Sequence, residues 1–143
     1  MRAVIDTNIL FEGLTRNAGA CTVIVDAWLA ELFTVCVSQA LAYEYEDVLS
    51  RKLSPANWKE LSVVLGTLLN QSQYVKLNFT WRPASNDPGD DKVIDCAMNA
   101  NAAVVTFNRR DFRQAVRQLG LTVLSPQEFV SRLAAELDSD QRK

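Results

Sequence analysis

Residues 102–128 read AAVVTFNRRDFRQAVRQLGLTVLSPQE. An apolar run from Ala102 to Thr106 predicts a strand. Asn108 then supplies a capping side chain for a helix from Arg109 to Leu119, and Gly120 ends that helix. A second apolar run, Leu121 to Leu124, predicts another strand. It meets Ser125-Pro126-Gln127-Glu128, a capping box with proline at the first helical position, which opens a helix through Phe129, Val130, Leu133 and Leu137. Strands alternating with amphipathic helices imply right-handed crossovers and a mostly parallel sheet.

The rest of the chain repeats this grammar. Arg2 to Ile5 is a short apolar strand ending at Asp6-Thr7-Asn8, whose side chains favour a turn. From Cys21, the residues Ile24, Val25, Trp28, Leu29 and Leu32 recur at steps of three and four, the spacing of one helix face. Phe33 to Val37 predicts a second strand, and Ser38 caps a helix presenting Leu41, Tyr45, Val48 and Leu49 inward. Ser54-Pro55 opens a further helix carrying Trp58, Leu61, Val64, Leu65 and Leu68. Tyr74 to Leu77 reads as the third strand, Thr80 to Gly89 as an exposed loop, and a helix begins near Asp90. The expected fold class is α/β: a single-domain α/β/α sandwich over residues 1–137 with a roughly five-stranded, mostly parallel sheet, followed by a polar tail, residues 138–143, expected to fray.

Composition narrows the chemistry. The chain has 143 residues, 48% of them hydrophobic and 22% charged, which suits one ordinary globular domain. No apolar run approaches the roughly 18 to 20 residues needed to span a bilayer, so no membrane insertion is expected. An acid at position 6 interrupts any secretory apolar segment, and the expected location is the cytoplasm. Cys21, Cys36 and Cys96 are scattered and odd in number, which speaks against a disulfide framework or a thiolate zinc site. There is no histidine, which removes the usual general base, the Ser-His and Cys-His nucleophile pairs and imidazole metal sites. With a net charge of −2, any hold on nucleic acid must come from a local basic cluster.

In parallel sheets ligands bind beyond the carboxyl ends of the strands. Asp6 lies just past the first strand, Asp91 opens the helix leading into the fourth, and Asp111 falls in the first turn of the helix after it. Glu44 sits within two turns of the start of the helix after strand two, so four carboxylates share that edge. Taken singly, each also serves as a cap or a first-turn acid. Together, without histidine or compensating lysine, they raise one another's pKa, and a hard divalent cation such as Mg²⁺ or Mn²⁺ is the natural counter-charge for oxygen-only ligands. Lys92, Arg109, Arg110 and Arg113 cluster nearby as candidates for gripping substrate phosphates.

These segments resemble a known family. Met1 to Leu10, with Asp6-Thr7-Asn8, resembles the opening strand of PIN domains, and Ser38 to Leu49, with Glu44-Tyr45 and Val48-Leu49, is similar to the segment carrying that family's glutamate. Asp87-Pro88-Gly89-Asp90-Asp91-Lys92 resembles the third acidic motif of a branch of toxins from toxin–antitoxin pairs. Thr106-Phe107-Asn108-Arg109-Arg110-Asp111-Phe112 resembles the fourth motif, with Asn108 where this branch often has an acid. The resemblance spans nearly the whole chain, in order. It implies Asp6, Glu44 and Asp91 as metal ligands, with Asp111 a fourth acid acting directly or through water. Asn8, Asp95, Thr106 and Asn108 would support them. It further implies Mg²⁺- or Mn²⁺-dependent cleavage of RNA, homodimers and inhibition by a cognate antitoxin. A rival reading keeps the fold as a binding module for RNA or a protein partner with little or no cleavage. A third, a phosphatase or phosphotransfer receiver domain, ranks last, because the last strand ends in Leu124-Ser125-Pro126 with no lysine.

Overall fold

A computed structural model describes residues 1–80 and 88–141, the side chains of residues 88 and 89 excepted. The elements run β1 (Arg2–Ile5), α1 (Thr7–Thr15), α2 (Ala20–Leu29), β2 (Thr34–Val37), α3 (Gln39–Lys52), α4 (Pro55–Asn70), β3 (Gln73–Tyr74), α5 (Pro88–Ala100), β4 (Ala103–Val105), α6 (Arg113–Leu119), β5 (Val123–Leu124) and α7 (Pro126–Gln141). The five strands form one sheet in the order β3-β2-β1-β4-β5, and every pairing is parallel. The α/β class and the parallel sheet of about five strands are therefore as expected.

The sheet is built from strands buried on both faces, which is why they read as unbroken apolar runs rather than alternating ones. Ala3, Val4, Ile5, Val35, Cys36, Val37, Val104 and Val105 are all buried. Helix α5 packs against β1, β2 and β4, and α2 packs against α1, α4 and α7. The indole of Trp28 on α2 is fully enclosed, and its Nε1 donates to the Leu68 carbonyl at 3.0 Å and to Ser72 Oγ at 3.1 Å. Its apolar body thus joins the core, worth about 2 kcal/mol, without leaving a buried N–H unpaired. Phe33 and Phe129 meet edge to face at 4.8 Å and tie the start of β2 to α7.

Several boundaries differ from the sequence reading. Asp6-Thr7-Asn8 does not end the strand in a turn; Asp6 is the N-cap of α1, accepting from the Thr7 N–H at 2.9 Å. The residues that follow, Ile9 and Leu10, are fully buried, so an extra helix forms where turn-forming side chains masked its start. Helix α2 stops at Leu29, because Glu31 adopts a left-handed φ of 57° and turns the chain into β2. Strand β3 is only Gln73–Tyr74, at the edge of the sheet, with no strand on its outer side among the described residues. Asn108 caps no helix with its side chain; the segment Arg109–Phe112 is a 3₁₀ turn that leads into α6. Helix α7 continues through Gln141, well into the stretch expected to fray. The loop expected over 80–89, with Pro83, Asn86 and Asp87, lies almost wholly outside the described residues.

The remaining caps are as the sequence predicted. Ser38 Oγ accepts from Leu41 N–H at 3.1 Å, and Ser54 Oγ from Asn57 N–H at 3.2 Å. Ser125 and Glu128 close a reciprocal capping box at 3.1 and 3.0 Å, and Gly120 ends α6 at φ 70°. Gly13 has a different reason to be glycine: a Cβ there would collide with Val25 Cγ2 and sit 2.5 Å from the Cys21 carbonyl oxygen. Its absence lets α1 and α2 touch along their backbones.

Candidate active site

Strand β1 lies at the centre of the sheet between β2 and β4, so the connections on its two sides leave in opposite directions and open a crevice beyond its carboxyl end. Asp6 stands at that point. Its backbone N–H still belongs to the sheet, donating to Val105 O at 3.0 Å. Its Oδ1 takes the Thr7 N–H, and its Oδ2 takes the Thr106 hydroxyl at 2.7 Å. Thr106 is itself fully buried and accepts the Asn108 N–H at 3.1 Å. The carboxylate is thus fixed from β1, α1 and the end of β4 at once.

Two further acids bear on it. Burial pushes the Asp6 carboxyl above the ordinary carboxylate range, the hydrogen bonds from Thr106 and Thr7 oppose this, and the negative charges of Glu44 and Asp111 add to the rise. Glu44 reaches the edge from α3, where its Oε2 accepts the Thr7 hydroxyl at 2.5 Å. Thr7 therefore bridges the two acids, its N–H to Asp6 and its hydroxyl to Glu44. Asp111 comes from the 3₁₀ turn after β4, and Asn108 Nδ2 holds its Oδ2 at 2.6 Å. Beneath this edge Tyr45 is completely buried and its hydroxyl donates to the Ile5 carbonyl, which secures the residue before Asp6.

The acids of α5 are placed differently. Asp91 and Asp95 are both buried, one helical turn apart on the face that α5 turns to the protein interior. Lys92, between them, extends its ammonium to 3.8 Å from Glu44 Oε1. This cation joins the opening of α5 to the Asp6–Glu44 edge. Among the described residues no group of three or more acidic or cysteine side chains is arranged to hold a metal ion. Even so, the donor chemistry fits a hard divalent cation: oxygen ligands alone, an Asp6 carboxyl raised by burial and by the negative charges of Glu44 and Asp111, and, among the described residues, the Lys92 ammonium near Glu44.

Of the other residues singled out from sequence, Asn8 is exposed in the first turn of α1, on the same edge. Arg109 is committed elsewhere, its Nη1 donating to Glu128 Oε1 at 2.7 Å. Arg110 and Arg113 line an open cleft of about 710 Å³ beside Asn108, together with Phe107 and Arg117. Sequence reading missed Thr7, Phe107 and Arg117. Thr7 could have been found by taking Asp6 as a helix cap, which puts Thr7 at the first helical position. Arg117 follows Arg113 by one helical turn, and that periodicity was legible.

A family model described as the PIN domain matches residues 2–110 of this chain. Among solved structures, a chain of VapBC2 from Rickettsia felis, solved bound to a DNA fragment from their promoter, superposes with a TM-score of 0.62 at 14% identity, covering 87% of this chain and 98% of that one. PAE2754 from Pyrobaculum aerophilum gives a TM-score of 0.63 at 17% identity, covering 94% and 90%. A PilT N-terminus domain protein from Sulfolobus solfataricus gives 0.56 at 12% identity, covering 93% of each. At these identities the likeness is one of fold. Comparison with curated proteins found no match.

Proposed function

Because the chain belongs to the PIN-domain family, we propose that it is a metal-dependent endoribonuclease and the toxin of a toxin–antitoxin pair. The observation that carries this reading is Asp6, held at the switch point of the sheet by Thr7 and Thr106 within the shared negative field of Glu44 and Asp111. A carboxylate kept ionised in that field without a cation is unfavourable, and such arrangements mark functional sites.

Asp6, Glu44, Asp91 and Asp111 would hold Mg²⁺ or Mn²⁺, with Asp95 behind Asp91. When bound, such a cation supplies an acidified water for attack on the phosphodiester and neutralises charge developing on the phosphate. The protein's own part is positional. Thr106 and Thr7 fix both oxygens of Asp6, and Asn108 orients Asp111. With no histidine in the chain, none of the usual proton-shuttling imidazoles takes part. Lys92 neutralises Glu44 until substrate arrives, and Arg110 and Arg113 grip phosphates on the outer side.

Homodimer formation, a cytoplasmic location and inhibition by an antitoxin belong to the same proposal. The fold shared with VapBC2 supports the antitoxin. No helix among the described residues is long and apolar enough to cross a membrane. The test is cleavage of single-stranded RNA with Mn²⁺ or Mg²⁺ by purified protein, by Asp6→Asn and by Asp91→Asn. Cleavage by the intact protein alone supports the reading, and equal cleavage by all three exposes a contaminant. The pairing of Asn108 with Asp111 and of Lys92 with Glu44 gives weight to a second reading, a binding module without cleavage. RNA bound and left whole by the intact protein in Mn²⁺ would favour it.

A further inference from the structure

The cleft beside the carboxylates has a composition unlike the rest of the molecule. The chain is net acidic, yet within the short stretch from Arg109 to Arg117 it concentrates four arginines around one space. Arg109 is neutralised by Glu128, but Arg110, Arg113 and Arg117 are exposed and have no ion-pair partner among the described residues. Arg113 and Arg117 lie one helical turn apart on α6, about 6 Å along its axis. Phe107, 54% exposed, stands at the head of the same cleft. Its exposed ring offers a face on which a planar group can stack.

The cleft adjoins the candidate active site through one residue. Asn108 lines it and at the same time holds Asp111 through Nδ2 at 2.6 Å, so one residue is shared by both. A polymer lying in the cleft would pass beside Asn108 and hence beside the Asp111 carboxylate that Asn108 holds.

We propose that Phe107 and the ridge Arg110–Arg113–Arg117 form a nucleotide subsite flanking the scissile phosphate, in which one unpaired base stacks on the Phe107 ring while the guanidiniums hold the neighbouring phosphates. The inference deepens the nuclease reading and rests on it for the chemistry that follows binding. Aromatic and arginine side chains interleaved along a groove suit a single strand, because each base offers a π-face and each linkage a negative charge. Bases in a duplex stack on one another and cannot reach the ring. An acidic peptide would use the arginines and leave Phe107 idle.

The test separates binding from cleavage. In EDTA, fluorescence anisotropy of a short unstructured RNA is measured with the full chain, with Phe107→Ala, with Phe107→Tyr and with Arg113→Gln/Arg117→Gln, across a salt series. A 2-aminopurine in the RNA reports stacking. Single-stranded RNA is expected to bind more tightly than a duplex of the same sequence. Phe107→Ala should weaken it about tenfold and abolish 2-aminopurine quenching, and Phe107→Tyr should restore both. The arginine pair should lower the log–log salt slope by about 0.7 for each phosphate no longer gripped. Equal binding of duplex, indifference to Phe107→Ala, or a polyglutamate peptide that RNA cannot displace would overturn the subsite. The same RNAs are then incubated with Mn²⁺. Binding that follows the expected pattern without cleavage sustains the subsite and removes the nuclease reading, whereas cleavage by a protein whose binding ignores these variants removes the subsite alone.

Discussion

The Thr106 hydroxyl donates to Asp6 Oδ2 at 2.7 Å, joining residues a hundred positions apart at the ends of two adjacent parallel strands. Because Thr106 is fully buried and also accepts the Asn108 N–H, it sets the carboxylate on one side and the turn carrying Asp111 on the other. Thr106→Val keeps the shape and removes both bonds. It should cost roughly 1 to 2 kcal/mol in urea denaturation, and Thr106→Ser should recover most of it. Since that bond lowers the Asp6 pKa, the acidic limb of the cleavage–pH profile should move to higher pH in the valine variant and return in the serine variant.

Asp6 itself predicts an exchange of stability for activity. Its folded-state pKa is raised, chiefly by burial, so between pH 3.8 and that raised value the folded protein binds more protons than the unfolded one. Stability of the metal-free protein is therefore lost as pH rises from the unfolded value through the raised one, and the penalty is complete above it. Asp6→Asn removes that penalty while still able to accept from Thr7 and donate to Thr106. In EDTA at neutral pH the variant should melt a few degrees higher than the parent, and the gap should narrow as pH falls toward the unfolded value. A variant that melts lower at neutral pH would show that the hydrogen bonds outweigh the charge. RNA cleavage should be lost throughout.

Gly13 predicts the opposite kind of change, one far from any chemistry. The methyl group of Gly13→Ala must push α1 away from α2 at the Cys21 carbonyl, backbone that cannot yield easily. Despite alanine's better helix propensity, the variant should lose about 1 to 3 kcal/mol by chemical denaturation. Because α1 begins at Asp6, cation affinity should fall as well, measurable by calorimetric titration with Mn²⁺.

The thiols should be inert in the folded state. Cys96 is buried and its pKa is pushed up to about 12, mainly by burial, and burial likewise raises Cys36 and Cys21. At pH 8, iodoacetamide should modify partly exposed Cys21 first and leave Cys36 and Cys96 untouched until denaturant is added. Mass spectrometry of peptides gives the order, and early labelling of Cys96 would indicate that α5 opens locally.

How much could be read in advance follows from the range of the forces involved. Caps and stops at Ser38, Ser54, Ser125 and Gly120 depend on residues a few positions apart, and each was legible. Helix α1 was not, because Asp6-Thr7-Asn8 suits a turn and a helix start equally, and only burial of Ile9 and Leu10 decides between them. The edge placement of Asp6, Glu44 and Asp111 was visible from the alternation of elements. Thr7 bridging Asp6 and Glu44, Asn108 turning from cap to partner of Asp111, and Arg109 drawn to Glu128 were not, since each depends on which side chain arrives across the fold.

The backbone of Asp6 is a rung of the sheet and its side chain is both helix cap and candidate ligand, with no intervening loop to absorb error. The carboxylate edge is therefore indexed to the alignment of Ile5 opposite Val105. A slip of one residue between β1 and β4 would turn Asp6 to the other face of the sheet and part it from Thr106. The central strand pair and the carboxylate edge depend on the same register, so a misaligned molecule would lose the candidate site as well as the fold.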